Sequence, residues 1–356
     1  MHSPESGQDQ MFGRVSEKDL IFFTSQLALL METGSSLTET LTAMESQMSN
    51  TALREAVHNV SADVQGGKML STALAKNPKI FSTVYISMVR AGEMGGFLVE
   101  MLQRLVQILK LKNGLATKIK SAMAYPAVLS IMSVGVVIFM MTFVLPRFAA
   151  LFEGKEAILP ITTRILMATA NFMVNYWPVV VGLVAGTVVG AVFFGRSQQG
   201  RIFIQRAILK LPLVGPVCKM LYTSRLLRTL GVMLESGIPL LDGVDVTRGT
   251  VGNVEYAKFL DVVEEHVKEG KSLSEPFSQC TLFAPAVKQM VHTAEMTGNS
   301  GRVMVKLADH YDEEVEVRLK TLTSLLEPAI VVVMGSVVGF IAMSLFLPLF
   351  KISRGL

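Results

Sequence analysis

The sequence is poor in the side chains that most often carry out reactions, with two cysteines and five histidines among 356 residues. Cys218 and Cys280 lie far apart, so a structural disulfide is not expected. The histidines form no His-Glu-x-x-His motif and no close pair, which leaves a zinc ion without ligands. No Gly-x-Ser-x-Gly elbow occurs either. The sequence therefore predicts a protein that is not an enzyme and that holds no cofactor or metal.

A strong excess of charge of one sign is also missing. The formal net charge is +4, from 33 basic and 29 acidic residues, and the basic residues are spread through mixed-charge stretches rather than gathered in one patch. This pattern gives no support to nucleic-acid binding.

Three long runs contain no charged residue, and they hold much of the apolar 50% of the chain. About 20 helical residues cover the roughly 30 Å hydrocarbon core of a bilayer, so each run is long enough to cross a membrane. A buried core helix is the alternative for each. We predict membrane helices at 122–145, 175–195 and 326–350. The nearest ionisable residue is Glu327, at the edge of the third helix, which argues against a proton relay or an ion path at membrane depth.

The basic residues that flank these runs predict the topology, because cytoplasmic flanks of membrane helices are rich in Lys and Arg. Four lysines without an acid precede the first run, and only basic charges follow the second run as far as Arg228. The first 20 residues lack the apolar stretch of a signal peptide, so we expect a cytoplasmic N-terminus and a periplasmic C-terminus.

The predicted order is a polar segment at 1–15, a cytoplasmic helical bundle at 16–121, the first membrane helix, a short outer loop at 146–174, the second membrane helix, a second cytoplasmic bundle at 196–325, the third membrane helix and an outer tail at 351–356.

The chain contains an internal repeat. The stretch "METGSSL" at 31–37 returns as "LESGIPL" at 234–240, and "GKMLS" at 67–71 returns as "GKSLS" at 270–274. After a slip of one residue the match continues through the second half of each copy. There the paired residues are Glu93 with Glu295, Gly96 with Gly298, Pro126 with Pro328, and "LPRF" at 145–148 with "LPLF" at 347–350. One unit, a helical domain followed by a membrane helix, is therefore used twice.

Each copy is predicted to be α-helical, which makes the fold class all-α: a polytopic membrane protein with two homologous cytoplasmic bundles and three membrane helices. Apolar residues near the start follow the helical period behind a possible N-cap at Ser16. "SLTE" at 36–39 has the spacing of a capping box, and Pro239 is expected to preorganise the equivalent first turn in copy two. Gly34 and Gly237 are predicted to end helices in the left-handed conformation. Further helices in copy one are expected at about 51–65, 70–76, 82–91 and 97–120 from the same periodicity.

Two short stretches imitate binding motifs. "EGKS" at 269–272 ends like a phosphate-binding loop, but it follows a helical pattern and lacks the earlier glycine, so nucleotide binding is not predicted. The acidic stretch at 309–316 could hold a cation with His310. The simpler interpretation is a solvated helix face with pairs from Glu314 to Arg318 and from Glu316 to Lys320.

Small residues recur at four-residue spacing in two of the membrane runs. Such spacing lets helix backbones approach closely, so self-association into a homo-oligomer is favoured over simple flexibility of the helices. The residues concerned are Gly182, Gly186 and Gly190, and Gly335 with Gly339.

The combination of "FTSQLALLMETGSSLTETL" at 23–41, "MVRAGEMGGFL" at 88–98, "AYPAVL" and "LLEPAIVVV" resembles the type II secretion system F family. Its members are polytopic inner-membrane platform proteins of type II secretion and type IV pilus assembly. Longer relatives carry an extra segment before the first bundle. Copy two departs mildly from the family pattern at Ala294 and through an inserted loop at 299–301.

The resemblance implies a non-enzymatic role: the protein would couple a cytoplasmic assembly or secretion ATPase to the extraction of pilin or pseudopilin subunits from the bilayer. Other inner-membrane components of the machine would be further partners. A membrane transporter or channel subunit, a membrane-anchored enzyme, or a scaffold of another secretion machine remain alternatives.

Residues in the paired motifs are candidates for a structural role or for partner contact. For Glu93 and Glu295 we weigh organising the bundle or receiving the motor against local capping of the next helix by a carboxylate. The full set is Gly34, Gly92, Glu93, Gly96, Pro126, Pro146, Gly237, Glu295, Gly298, Pro328 and Pro348.

Overall fold

A computed structural model describes residues 15–150 and 161–353, and within those ranges every regular element is a helix. The predicted N-terminal segment 1–15, except its last residue, and the end of the predicted tail lie outside them. The chain divides into two compact units, one of Met1–Thr117 with Val214–Glu316 and one of Lys118–Leu213 with Val317–Leu356. The first unit holds both helical bundles, and the second holds the apolar helices.

The helices follow one another with short connections. In the first half they are α1 (Glu17–Glu32), α2 (Leu37–Glu45), α3 (Thr51–Gln65), α4 (Leu70–Leu74), α5 (Thr83–Gly95), α6 (Leu98–Phe139), a π-helical turn (Met140–Val144), α7 (Leu145–Ala150) and α8 (Ile161–Asn175). In the second half they are α9 (Trp177–Arg196), α10 (Gln198–Lys210), α11 (Val214–Glu235), α12 (Leu240–Val251), α13 (Val254–Lys268), α14 (Ser274–Gln279), α15 (Pro285–Met296) and α16 (Ser300–Ser353).

The predicted helix ends at Ser16, Gly34 and Ser36 are confirmed in the first bundle, which we define as α1 to α5 with the part of α6 up to Thr117. Ser16 and Ser36 both form complete capping boxes, with Asp19 and Glu39 as the reciprocal partners. Gly34 has a φ of 90°, so the chain turns there through the left-handed conformation that glycine adopts without steric cost.

The second bundle, α11 to α15 with the part of α16 up to Glu316, repeats this plan. Gly237 has a φ of 71° and ends α11 as Gly34 ends α1. Pro239 occupies the N-cap of α12 rather than its first turn, and no side chain caps that helix. The prediction that Pro239 lies inside the first turn is therefore wrong by one position.

Apolar side chains fill both bundles. Phe23, Phe81 and Tyr85 pack ring against ring in the first, with centroid separations of 5.9 and 5.2 Å. Phe259, Phe277 and Phe283 do so in the second at 4.7 to 4.8 Å. Each core also buries a tyrosine whose hydroxyl lies 3.1 Å from a threonine hydroxyl; the pairs are Tyr85 with Thr24 and Tyr256 with Thr223.

Three helices are long and apolar enough to cross a membrane, by length and composition: Leu98–Phe148, Trp177–Arg196 and Ser300–Leu347. They contain all of the predicted membrane helix 122–145, the second from 177 to 195 and the third from 326 to 347. The sequence interpretation ended one helix near residue 120 and began another at 122, and this is wrong, because α6 continues unbroken from Leu98 to Phe139. The change from a charged to an apolar composition marks a change of surroundings and requires no break in the backbone. In the same way α16 runs for 54 residues.

The segment predicted as a short outer loop contains the helix α8. Leu166 and Ala170 of α8 are buried in an apolar cluster with Leu145, Ile341 and Leu345. The Thr163 hydroxyl of α8 also donates a 2.7 Å hydrogen bond to the Ser344 carbonyl.

Candidate functional sites

Glu93 holds the start of a short helix that precedes it in the chain. From α5, its carboxylate accepts hydrogen bonds from the backbone N–H groups of Leu70 and Ser71, the second at 2.8 Å. These amides open α4, whose N-cap residue Met69 offers no side-chain acceptor. A carboxylate at this place satisfies exposed donors and meets the positive end of the helix dipole.

Glu295 does the same in the second bundle with more donors. Its carboxylate accepts from the amides of Leu273 and Ser274, at 2.6 and 2.9 Å, and from the Ser272 hydroxyl. The Ser274 hydroxyl lies 3.0 Å from His292 Nδ1, which links α14 and α15 a second time. Copy one has Met69 where copy two has Ser272, so the hydroxyl contact has no counterpart there.

The extra donors affect the ionisation of Glu295. Burial of its carboxyl opposes the charged form, but the hydrogen bonds from Ser272, Ser274 and the Leu273 amide favour it and hold the pKa of Glu295 below its usual value.

Both carboxylates therefore cap a helix, but not the one that the sequence suggested. Capping of the next helix was one of the interpretations that we weighed, and the structure places the contact on the preceding helix instead, about 22 residues back. The reason is that the chain after each glutamate turns away at Gly96 or Gly298, both in the left-handed conformation with φ of 77° and 69°. This geometry accounts for both residues as organisers of the bundle, and it leaves the question of motor contact as a proposal.

Gly92 lies where α5 closely approaches the start of α6. A Cβ at this buried position would lie 2.8 Å from the Leu98 Cα, where no side chain fits without movement of the backbone. The equivalent residue in copy two is Ala294, which is also buried but already carries a Cβ. At this position the helices of the first bundle are therefore packed more closely than those of the second.

A second close approach, between α11 and α16, involves residues that the sequence analysis misinterpreted. A Cβ on Gly231 would lie 2.9 Å from the Gly301 carbonyl oxygen, and one on Gly301 would lie 2.9 Å from the Glu235 amide nitrogen. The prediction of an inserted loop at 299–301 is wrong, because Ser300 and Gly301 are the first residues of α16. Gly301 allows α11 and α16 to approach closely. From the local sequence alone, a glycine in a close helix contact cannot be distinguished from a glycine in a loop.

The acidic stretch at 309–316 forms ion pairs across the second bundle. The Arg228 guanidinium of α11 binds Asp309 at 2.8 Å and Asp312 at 2.6 Å. The Ser224 hydroxyl also donates to Asp312. Within the described ranges no group of three His, Cys, Asp or Glu side chains could hold a metal ion, this stretch included. Two acids of this stretch, Asp309 and Asp312, thus share an arginine from another helix, which we did not predict from the sequence.

The two bundles pack against each other through faces that we did not predict from the sequence. Val232 and Met233 of α11, Ile238 and Val246 lie buried in the apolar cluster that forms the core of the first bundle. Helix α5 packs against α12 in the same region. At the edge of this contact Arg104 of α6 approaches Glu235 of α11, with 3.4 Å between Nη1 and Oε2.

In the apolar unit, the residues that precede the paired prolines meet. The Tyr125 hydroxyl of α6 donates a 2.9 Å hydrogen bond to the Glu327 carboxylate of α16. Pro126 and Pro328, which follow them, both lie inside their helices. Pro146 lies in the first turn of α7, just after the π-helical turn, where its missing N–H group is tolerated. Pro348 lies in the last part of α16.

The membrane glycines contact no neighbouring helix among the residues that the structure describes. A Cβ at any of the five would meet no described atom within 4 Å, so the structure does not bring them together with another helix. Self-association through these faces remains a prediction. The residues are Gly182, Gly186, Gly190, Gly335 and Gly339.

Comparison with known proteins matches this duplicated arrangement. The family model described as type II secretion system (T2SS), protein F, matches the chain twice, at residues 23–146 and 226–348. The chain belongs to this family. Its match to the "Type IV pilus assembly protein PilC" of Myxococcus xanthus is 32% identical over 342 residues, or 96% of this chain and 82% of the relative.

Of two further relatives, one is named for type IV pilus assembly and the other for type II secretion. The "Type IV pilus assembly protein PilC" of Thermus thermophilus is 36% identical over 337 residues, or 94% of this chain and 82% of the relative. The "Type II secretion system protein F" of Aeromonas hydrophila is 32% identical over 353 residues, or 98% of this chain and 90% of the relative. The family resemblance stated from the motifs is confirmed.

Proposed function

We propose that this chain is the non-enzymatic platform protein of an inner-membrane machine, which couples a cytoplasmic assembly ATPase to the extraction of pilin or pseudopilin subunits. The machine is one for type IV pilus assembly or type II secretion, as the names of the relatives indicate. The family supports the platform role and the multi-pass membrane location.

The observation that carries the proposal is that one helix serves both a bundle and a membrane span. The first turns of α6 contribute Met101, Leu102 and Leu105 to the core of the first bundle, and the same helix continues into an apolar span. Helix α16 does this for the second bundle through Met304 and Leu307. A displacement of a bundle is therefore carried along one helix rather than lost in a loop, although Pro126 and Pro328 each leave one backbone hydrogen bond of their helix unmade.

The proposed orientation places both bundles in the cytoplasm, the N-terminus with them and the C-terminus in the periplasm. It is supported by the excess of Lys and Arg before the first span and after the second. The proposed partners are the ATPase, pilin or pseudopilin subunits, other inner-membrane components and further copies of this chain. Protease added to intact spheroplasts tests the orientation: digestion of either bundle from outside contradicts it.

Coupling through α6 can be tested with Ala116→Pro. Ala116 is exposed on α6, after the part that fills the bundle. Proline removes a backbone hydrogen bond and clashes with the preceding turn, which costs about 3 kcal/mol in a helix interior. We expect normal amounts of membrane-inserted protein that still co-purifies with the ATPase, but strongly reduced pili or secretion. The matched variant Ala116→Ser keeps the helix and should keep the output.

Two results would overturn the platform role. If Ala116→Pro inserted normally and left filament assembly and secretion intact, α6 would not transmit motion. If the purified chain hydrolysed ATP, or vesicles containing it passed ions, an enzyme or a channel would be the better description.

A further inference from the structure

The packing of the two bundles uses two different faces. The first bundle contributes a face of α5 and α6, which includes Met88 and is here called the receiving face. The second bundle contributes a face at the end of α11 and on α12, which includes Val232 and is here called the inserting face. Because the bundles are repeats, each has both faces, and the contact within one chain uses only one of each.

The unused faces are exposed. Met88 on the receiving face of the first bundle is 0% exposed, whereas its equivalent Met290 in the second bundle is 50% exposed. Val232 on the inserting face of the second bundle is 7% exposed, whereas its equivalent Leu29 in the first is 54% exposed. The chain therefore has a free inserting face on its first bundle and a free receiving face on its second.

The charges at the edge of the contact are repeated on the free faces. Within the chain, Arg104 of the receiving face approaches Glu235 of the inserting face. The residue equivalent to Arg104 is Lys306, and the residue equivalent to Glu235 is Glu32. Both are exposed and carry the same signs as their counterparts. The free faces are thus complementary to each other in charge.

We propose that a second copy of this chain docks its first bundle onto the second bundle of the first copy, so that Leu29 and Glu32 meet Met290 and Lys306. The contact repeats between chains the one that already exists within the chain. It is separate from the glycine faces of the membrane helices and does not depend on the proposed function.

Two features of this contact follow from the sequence. Ser35 and Ala43 stand on the free inserting face where Ile238 and Val246 stand on the used one, so less apolar area is buried and association between chains is weaker than the contact within a chain. The contact is also head-to-tail, since two different faces meet. Such contacts build rings or open arrays rather than a simple two-fold pair.

The test is the mass of the full chain in mild detergent, measured over a range of concentrations, for Leu29→Arg and for Met290→Arg. A buried cation at the centre of the contact is expected to weaken association by about tenfold or more. Phe22→Arg and Met296→Arg are matched controls, because the equivalents of these residues stay exposed although the bundles pack: Arg225 is exposed and Met94 is 75% exposed. The controls should associate like the unchanged chain.

A charge exchange distinguishes this contact from any other. Glu32→Lys alone and Lys306→Glu alone should each weaken association, and the two together in one chain should restore it. A short thiol-to-thiol crosslinker supplies the second arm, in chains whose two native cysteines are replaced by serine. It should join a chain carrying Glu32→Cys to a chain carrying Lys306→Cys, and neither to its own kind. Equal association of all variants, failure of the double exchange to restore it, or crosslinking of like with like would overturn the proposal.

Discussion

The two bundles share one helix order, yet they connect their first and last helices with opposite charges. In the first bundle Lys112 on α6 binds Glu17 on α1 at 2.6 Å, with both side chains largely exposed. In the second bundle the acids lie on α16 and the cation, the mostly buried Arg228, lies on α11. The two connections lie at different positions of the repeat, since the residues equivalent to Glu17 and Lys112 are Met220 and Glu314. Each bundle therefore joins its first and last helices with its own ion pair. The ion pairs also differ in burial: the side chain of Arg228 in the second bundle is mostly buried, whereas Lys112 and Glu17 in the first bundle are largely exposed.

The largest effect is expected from filling the close approach that only the first bundle has. Gly92→Val should destabilise the first bundle by about 2–3 kcal/mol, since the added atoms meet the α6 backbone. Thermal unfolding of the full chain in detergent measures this. The control is Gly114→Val, because a Cβ at Gly114 meets open space. Unchanged stability of Gly92→Val would show that α5 and α6 do not pack as described.

The next largest losses of stability are expected from removing Glu295 and Glu93, and the loss should be greater for Glu295. Glu295→Ala leaves two amides and the Ser272 hydroxyl without their acceptor, and we expect a loss of about 2–3 kcal/mol. Glu93→Ala leaves two amides, and we expect about 1–2 kcal/mol. Hydrogen exchange at the start of α14 and of α4 reports each loss locally. Met69→Ser adds the missing hydroxyl to copy one, so in that background the stability loss of Glu93→Ala should approach that of Glu295→Ala. If the two losses stay as different as before, the Ser272 hydroxyl is not the cause of the difference.

The ion pairs of the two bundles predict a smaller difference in stability between variants. Arg228→Ala leaves two acids and the Ser224 hydroxyl in a partly buried place, and we expect a loss of about 1.5–3 kcal/mol. Lys112→Ala removes an exposed pair and should change stability by no more than about 0.5 kcal/mol. Urea unfolding of the two variants in the same detergent decides between them. Equal losses would mean that burial of Arg228 adds nothing.

The smallest expected effect is on the pH dependence of the second bundle. Because the folded-state pKa of Glu295 lies below its usual value of 4.5, its contribution is complete above that value and is lost as the pH falls through the folded pKa. Protection of α14 against hydrogen exchange, corrected for the intrinsic rate, should therefore fall as the pH drops below 4.5. Glu295→Gln should be less stable at neutral pH and show a flatter profile. The same profile in both proteins would assign the pH dependence to another group.

Local structure could be predicted from the sequence because local interactions decide it. The stops at Gly34 and Gly237 follow from the need for a left-handed residue, and the capping box at Ser36 follows from a three-residue spacing. The repeat also predicted that two similar bundles exist. The helix that Glu93 and Glu295 cap was not predicted, because it depends on which helix lies across the turn and not on the next residues in the chain.

Contacts between distant segments were beyond the sequence for the same reason. The close approach of Gly231 and Gly301 and the pair of Arg104 with Glu235 join residues far apart in the chain, and no periodicity encodes them. One signal was available: equivalent positions of a repeat that differ in polarity, such as Ile238 and Ser35, indicate a face that is covered in only one copy.

The hydrogen bond of Tyr125 with Glu327 sets two equivalent positions of the repeat opposite each other. If the halves were separate identical subunits related by two-fold symmetry, this residue would face its own twin, and two carboxylates so placed would repel. Joining the halves in one polypeptide releases the position from self-complementarity, so that a phenol can donate where a carboxylate accepts. Duplication within one chain has thus allowed an asymmetric bond at a place where separate subunits would need a symmetric one.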